Sequence, residues 1–253
     1  MAKIFPDGDG VTRSFPASLG PTAATPLWTV EYECDFGTAT PATLANGVSY
    51  PVGGKSWTAQ IPSGKVDNVA LIDGVGLKFS FDGTDANSNL APSDYTAPRM
   101  QISVPTLVSG LAIDDTLAFQ VLLNSGGLND NWQVYGMHLS DGTTGDNWFE
   151  NSTAYESSNS DPRMRELVWY AGSCGFVSSH NQTPAFAEPL NSTGTMSGVL
   201  SSATNTVPAA APSLNITIAN ATICLHAFYN NSGGGRTAYN CTFSRFRVLK
   251  RAK

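Results

Sequence analysis

The residues best equipped for chemistry are three carboxylates at alternate positions, Glu31, Glu33 and Asp35, in the run Trp28-Thr29-Val30-Glu31-Tyr32-Glu33-Cys34-Asp35-Phe36. Paired carboxylates are the equipment of glycoside hydrolysis, one acting as nucleophile or base and the other as acid. A strand has a period of two, so this one carries the acids on one face and Val30, Tyr32, Cys34 and Phe36 on the other. The apolar set claims the core side, which leaves the acids outside. Arg245, Arg247, Lys250, Arg251 and Lys253 supply five of the fourteen basic residues within the last nine positions. If the strand bearing Arg245 and Arg247 pairs with the acidic strand, the charges form a structural ion-pair ladder of Glu31, Glu33, Asp35, Arg245 and Arg247. Each such cross-strand pair is worth roughly 0.2–1 kcal/mol. The ladder is preferred to catalysis, and Glu33 is expected within salt-bridge reach of Arg245 or Arg247.

Other chemistry finds less support. Asp82, Asp85 and Asn87 lie in the run Asp82-Gly83-Thr84-Asp85-Ala86-Asn87-Ser88-Asn89, which offers oxygen ligands at alternate positions as calcium loops do, but the glycine and terminal glutamate of an EF-hand are missing. These three are weak metal candidates, and neither a metal nor a cofactor is expected. His138, His180 and His226 are far apart in sequence, and His138 and His226 are expected to line or flank the core. Neither a Gly-x-Ser-x-Gly elbow nor a glycine-rich loop opening a helix occurs. The cysteines at 34, 174, 224 and 241 lack any C-x-x-C spacing and are read as reduced, mostly buried thiols. Among the aromatics, Trp148 and Tyr155 are the candidates for contact with a glycan or an interface, and most of the rest are read as core.

Composition frames these residues. Charged residues make up 13% of the 253, against about 25% in an ordinary soluble domain. Gly, Pro, Ser, Thr and Asn fill the difference, as in many short strands joined by turns. A net charge of −6 opposes nucleic-acid binding, which needs a basic footprint. The opening Met1-Ala2-Lys3-Ile4-Phe5-Pro6 has no apolar stretch of signal-peptide length, and no run approaches a membrane span. Residues 1–26 read as an extended arm with a short hairpin around Asp7-Gly8-Asp9-Gly10, anchored by Phe5, Val11 and Phe15. From residue 27 to 253, alternating segments predict a β-sandwich domain. Strands are expected over 28–36, 76–81, 100–104, 116–123, 132–139, 147–155, 166–177, 213–218, 223–229 and 242–249. Residues 180–212 read as a long surface excursion. The fold class is therefore all-β, a two-sheet antiparallel β-sandwich.

Two resemblances extend this reading. The ending, Cys224-Leu225-His226-Ala227-Phe228-Tyr229, then Gly233-Gly234-Gly235, then Phe243-Ser244-Arg245-Phe246-Arg247-Val248, resembles that of concanavalin A-like (laminin G-like) jelly rolls. That resemblance implies a last strand paired with the first; the E-x-D-x-x-E pattern of glycosidases on that fold is not matched here. Asp7-Gly8-Asp9-Gly10-Val11-Thr12-Arg13-Ser14-Phe15 resembles the "G-D-G-x-T-x-x-F" opening of many tailed-phage fibre and virion proteins. Together they imply a non-enzymatic virion structural protein. The expectation is a capsid decoration (cement) protein made in the host cytoplasm, binding the major capsid protein and its own copies as a homotrimer. The alternatives are a tail-fibre or adaptor component and a carbohydrate-binding, lectin-like module; a glycosidase ranks last.

Overall fold

The computed structural model describes residues 4–6, 12–14, 27–64, 66–82, 97–127, 133–140, 149–153, 159–170, 175–181, 185–186, 189, 219–229 and 238–252. Within them the chain is a two-sheet antiparallel β-sandwich. The strands, in chain order, are β1 (Ile4–Pro6), β2 (Thr12–Ser14), β3 (Trp28–Asp35), β4 (Ala42–Thr43), β5 (Ser49–Val52), β6 (Lys55–Gln60), β7 (Asn68–Ile72) and β8 (Gly76–Phe81). They continue as β9 (Arg99–Ser103), β10 (Thr116–Gly127), β11 (Gln133–Ser140), β12 (Phe149–Thr153), β13 (Asn159–Tyr170), β14 (Gly175–Asn181), β15 (Thr222–Tyr229) and β16 (Tyr239–Arg251). The larger sheet runs β14-β13-β10-β16-β8-β7-β4, with β3 also paired to β16; the smaller runs β12-β11-β15-β9-β6-β5. β1 and β2 pair with each other.

Alternation explains how the two sheets close on each other. Leu117, Phe119, Val121 and Leu123 of β10 face inward, with Leu77, Phe79 and Phe81 of β8. From the other sheet come Tyr135, Met137 and Leu139 of β11 and Ile223, Leu225 and Ala227 of β15. Each large apolar side chain buried this way contributes about 1.5–3 kcal/mol. Trp57 anchors one end. Its ring makes T-shaped contacts with Phe36 and Phe246, with centroids 5.4 and 5.3 Å away. Its Nε1 donates to Tyr32 Oη at 3.1 Å, and that hydroxyl donates to the Val52 carbonyl at 2.8 Å.

β16 organises the larger sheet. One edge pairs with β10 along the strand, and the other is divided between β8, opposite 239–243, and β3, opposite 245–251. The spacing Phe243-x-x-Phe246 cannot keep both rings on one face of a regular strand. A register shift resolves this: Leu122 pairs with Arg245 and Leu123 with Phe243, which leaves Ser244 as the extra residue. The bulge resets the alternation. Phe243, Phe246 and Val248 all reach the core, and Arg245 and Arg247 turn outward. β3 ends and β8 begins at this same point, where Gly74 N donates to Gly37 O at 2.9 Å.

Some expectations change. The single strand predicted over 166–177 is a hairpin, β13 and β14, joined in register from Met164↔Asn181 to Tyr170↔Gly175. Val104 does not end a strand but begins a single helical turn, Val104–Leu107, with Pro105 in its first positions, where a missing N–H costs nothing. Val30 is 46% exposed rather than buried, because a second register shift places Leu249 opposite Val30 and Val248 opposite Tyr32. The strand expected at 213–218, and most of the excursion at 180–212, lie outside the described residues.

Candidate functional site

The outward face of the larger sheet gathers charged and polar residues from four adjacent strands. Register sets Glu33 opposite Arg247 and Asp35 opposite Arg245. The ion pair formed is the diagonal one: Arg245 Nη2 donates to Glu33 Oε1. Asp35 instead turns to its own chain, and its Oδ1 accepts from Gly37 N at 2.8 Å, capping the short 3-10 turn Phe36–Thr38. Glu31 leaves the ladder. It is the unpaired residue of the β3 bulge, so the three acids do not share one face as period two predicts. The bulge carries Glu31 to a cavity of about 330 Å³ at the end of the sandwich, shared with Asp115, Lys250 and Arg251.

Arg247 extends the network in the other direction. Its Nε donates to Gln120 Oε1 at 2.8 Å, and Gln120 Nε2 donates to Glu166 Oε2. Phe186 lies against both arginines, with its centroid 5.1 Å from the Arg245 guanidinium carbon and 4.5 Å from that of Arg247. Such cation–π contacts are worth about 0.5–1 kcal/mol where exposed and more where water is excluded. Exposure falls steeply across the face. The side chains of Arg245 and Glu33 are 44% and 34% exposed, while Gln120 and Glu166 are buried. The arrangement holds charge in fixed positions. Glu33 meets a guanidinium, Glu166 an amide and Asp35 a backbone N–H.

At the cavity, Lys250 Nζ meets Asp115 Oδ2 at 2.8 Å and donates to the Gly110 carbonyl at 3.0 Å. Asp115 Oδ2 also accepts from Ala112 N at 2.7 Å. On the smaller sheet, His138 and His226 are brought together with their Nδ1 atoms 2.8 Å apart. They do not line the core; they lie on the opposite face of that sheet and are buried there.

The remaining sequence candidates are placed as follows. Phe5 stands on β1 opposite Arg13. Val11, Phe15, Trp148, Tyr155, Asp85 and Asn87 lie outside the described residues. The backbone N–H of Asp82 donates to Asp67 Oδ2. Among the described residues, no group of three or more His, Cys, Asp or Glu side chains is placed to hold a metal ion. Sequence reasoning missed Gln120, Glu166, Phe186, Asp115 and the histidine pair. A signal existed for Gln120, a lone polar residue in the run Leu117-Ala118-Phe119-Gln120-Val121-Leu122-Leu123. Phe186 and Asp115 sit outside regular strands and carry no periodic signal. Comparison with family models, curated proteins and solved structures finds no match for this chain.

Proposed function

We propose that this chain is a virion structural protein of a tailed phage, a capsid decoration protein that binds the shell exterior and reinforces it. One observation carries the reading. The segment bearing the Asp7-Gly8-Asp9-Gly10 opening is flanked by β1 and β2, which pair with each other and with neither sheet of the sandwich. An element with its own pairing can lie across a neighbouring subunit without opening the domain it belongs to. The low charge content supports the same reading, since a protein held in an assembly needs less charge for solubility.

The test is to titrate the full chain onto capsids, stripped of it, from the phage that encodes it. Saturable co-sedimentation and a raised temperature of capsid disruption are expected. Phe5→Ala/Phe15→Ala should bind at least about tenfold more weakly, the loss expected when central apolar anchors are truncated. Sedimentation of the free protein should give a trimer of 26.7 kDa chains. Absence of capsid binding overturns the proposal. Gold label at the tail tip would assign the chain to a fibre or adaptor, and retention on a glycan array would make it a carbohydrate-binding module.

A further inference from the structure

His138 on β11 and His226 on β15 alternate with Met137, Leu139, Leu225 and Ala227, all of which belong to the core. Period two therefore turns both rings to the far side of the smaller sheet. Both are nonetheless buried, at 1% and 0% exposure. Register pairs His226 with Gly136 and His138 with Cys224. Gly136 has no side chain to stand between the rings, which approach with centroids 4.8 Å apart and planes tilted by 45°.

The contact between the two Nδ1 atoms, at 2.8 Å, has one proton in it. A neutral imidazole carries one N–H and one lone pair, so one ring donates from Nδ1 and the other accepts there. With both rings neutral, they must be opposite tautomers. One added proton preserves the bond but buries a charge; a second puts two N–H groups face to face. A fixed positive charge nearby opposes the first on His138. Arg99 on β9 is the register partner of His226, and its guanidinium is a permanent positive charge. It is held by Gln101 Oε1 at 2.8 Å and the Ala97 carbonyl at 3.2 Å. Cys224 faces the pair with its thiol directed at Gln101 Oε1, 3.8 Å away. Ser140 of β11 is buried beyond His138. Glu150 is the register partner of His138 on β12, and Gln60, the register partner of Arg99 on β6, is uncharged.

We propose that the His138–His226 pair is an acid-released latch, which ties β11 to β15 at neutral pH and lets these two strands loosen on acidification while the larger sheet stays closed. The sign follows from proton uptake. Burial, then His226, then Arg99 hold His138 well below its ordinary value. The opened chain therefore binds protons that the closed form refuses. Closure is complete above the ordinary histidine range and weakens as pH falls below about 6.5, by about tenfold in the opening constant per pH unit for the proton that His138 refuses.

Hydrogen exchange of the full chain at pH 7.5 and 5.0, corrected for intrinsic chemistry, tests this. Strands 133–140 and 222–229 should open at least about tenfold more readily at pH 5.0, and strands 116–123 and 239–251 should change much less. His138→Gln/His226→Asn keeps hydrogen-bonding groups that do not titrate, and should lose most of the acid response. Equal loosening of both sheets overturns the proposal. So does a variant that keeps the full response, which would point to His180 or to carboxylates. Nitrogen NMR of the wild-type rings needs no variant: at neutral pH one ring should be protonated at Nδ1 and the other at Nε2. Two rings in the same tautomer would also overturn the latch. These measurements use the isolated protein, so their failure leaves the capsid reading standing and the reverse holds equally.

Discussion

A Cβ added to Gly76 would lie 2.3 Å from the carbonyl oxygen of Phe243 and 3.1 Å from the Cα of Ser244. Gly76 also holds φ at +130°, where side chains are strained. It opens β8 beside the β16 bulge, so the close approach lets two short strands share one edge of a long one. Gly76→Ala should destabilise by about 3 kcal/mol or more, from backbone strain plus the forced shift of a packed strand. Gly74→Ala, at φ +67° with open space around it, should cost only about 1 kcal/mol. Urea midpoints of the two variants check the contrast; equal losses would mean that proximity to Phe243 is immaterial.

The exposed end of the arginine face should contribute little. Across a cycle of Glu33→Gln and Arg245→Met, the coupling should be about 0.2–1 kcal/mol, shrinking in high salt. Arg247→Met should cost about 1–3 kcal/mol, because it removes the charged N–H donated to the buried Gln120 Oε1. Chemical denaturation of the four proteins of the cycle, and of the Arg247 variant, measures both.

Lys250→Met should be the most damaging change at the sandwich end. It removes the cation beside the buried Asp115 carboxylate, and breaking a buried pair from one side costs about 3–5 kcal/mol. Lys250→Met/Asp115→Asn should recover part of that loss. Thermal unfolding of the single and double variants decides this, and a double variant no better than the single would show that the charge of Asp115 is not what Lys250 serves.

Three described cysteines are buried and free. Burial, the largest cause in each case, pushes Cys34 and Cys224 up to about 12 from an ordinary value of 9.0. The thiolate is the reactive form, so in a Cys174→Ser background the folded protein should resist an aromatic disulfide reagent at pH 8 and release three equivalents in urea. The pH dependence follows. Above pH 9 the unfolded chain loses thiol protons that the folded chain keeps, so stability is intact below 9 and falls as pH rises toward 12. Rapid labelling of the native protein would contradict this.

The strands with clean alternation were legible in the sequence. β3, β8, β10, β15 and β16 fall within a few residues of their expected spans, and the pairing of β3 with β16 places Glu33 beside Arg245. What was not legible has specific physical causes. The apolar run Leu167-Val168-Trp169-Tyr170 ends β13 and β14 begins at Gly175, only five positions on, so periodicity cannot divide them. β4 to β7 are two to six residues long, and too short to establish a period; β5 contains Pro51, which a sheet tolerates at its edge. The bulge that removes Glu31 from the ladder leaves no mark in residue type. His138 and His226 are 88 positions apart, and only a nonlocal pairing of strands joins them.

β16 also has a consequence for synthesis. It follows every strand it pairs with, and β3, β8 and β10 all need it as a neighbour. β8 leaves the ribosome some 160 residues before β16, which at ordinary translation rates is roughly ten to thirty seconds. Through that interval the halves of the larger sheet have no strand between them, and their edges and apolar faces remain available to other nascent chains. The domain should therefore close in one late step, and its yield in the cell should depend on how crowded those seconds are.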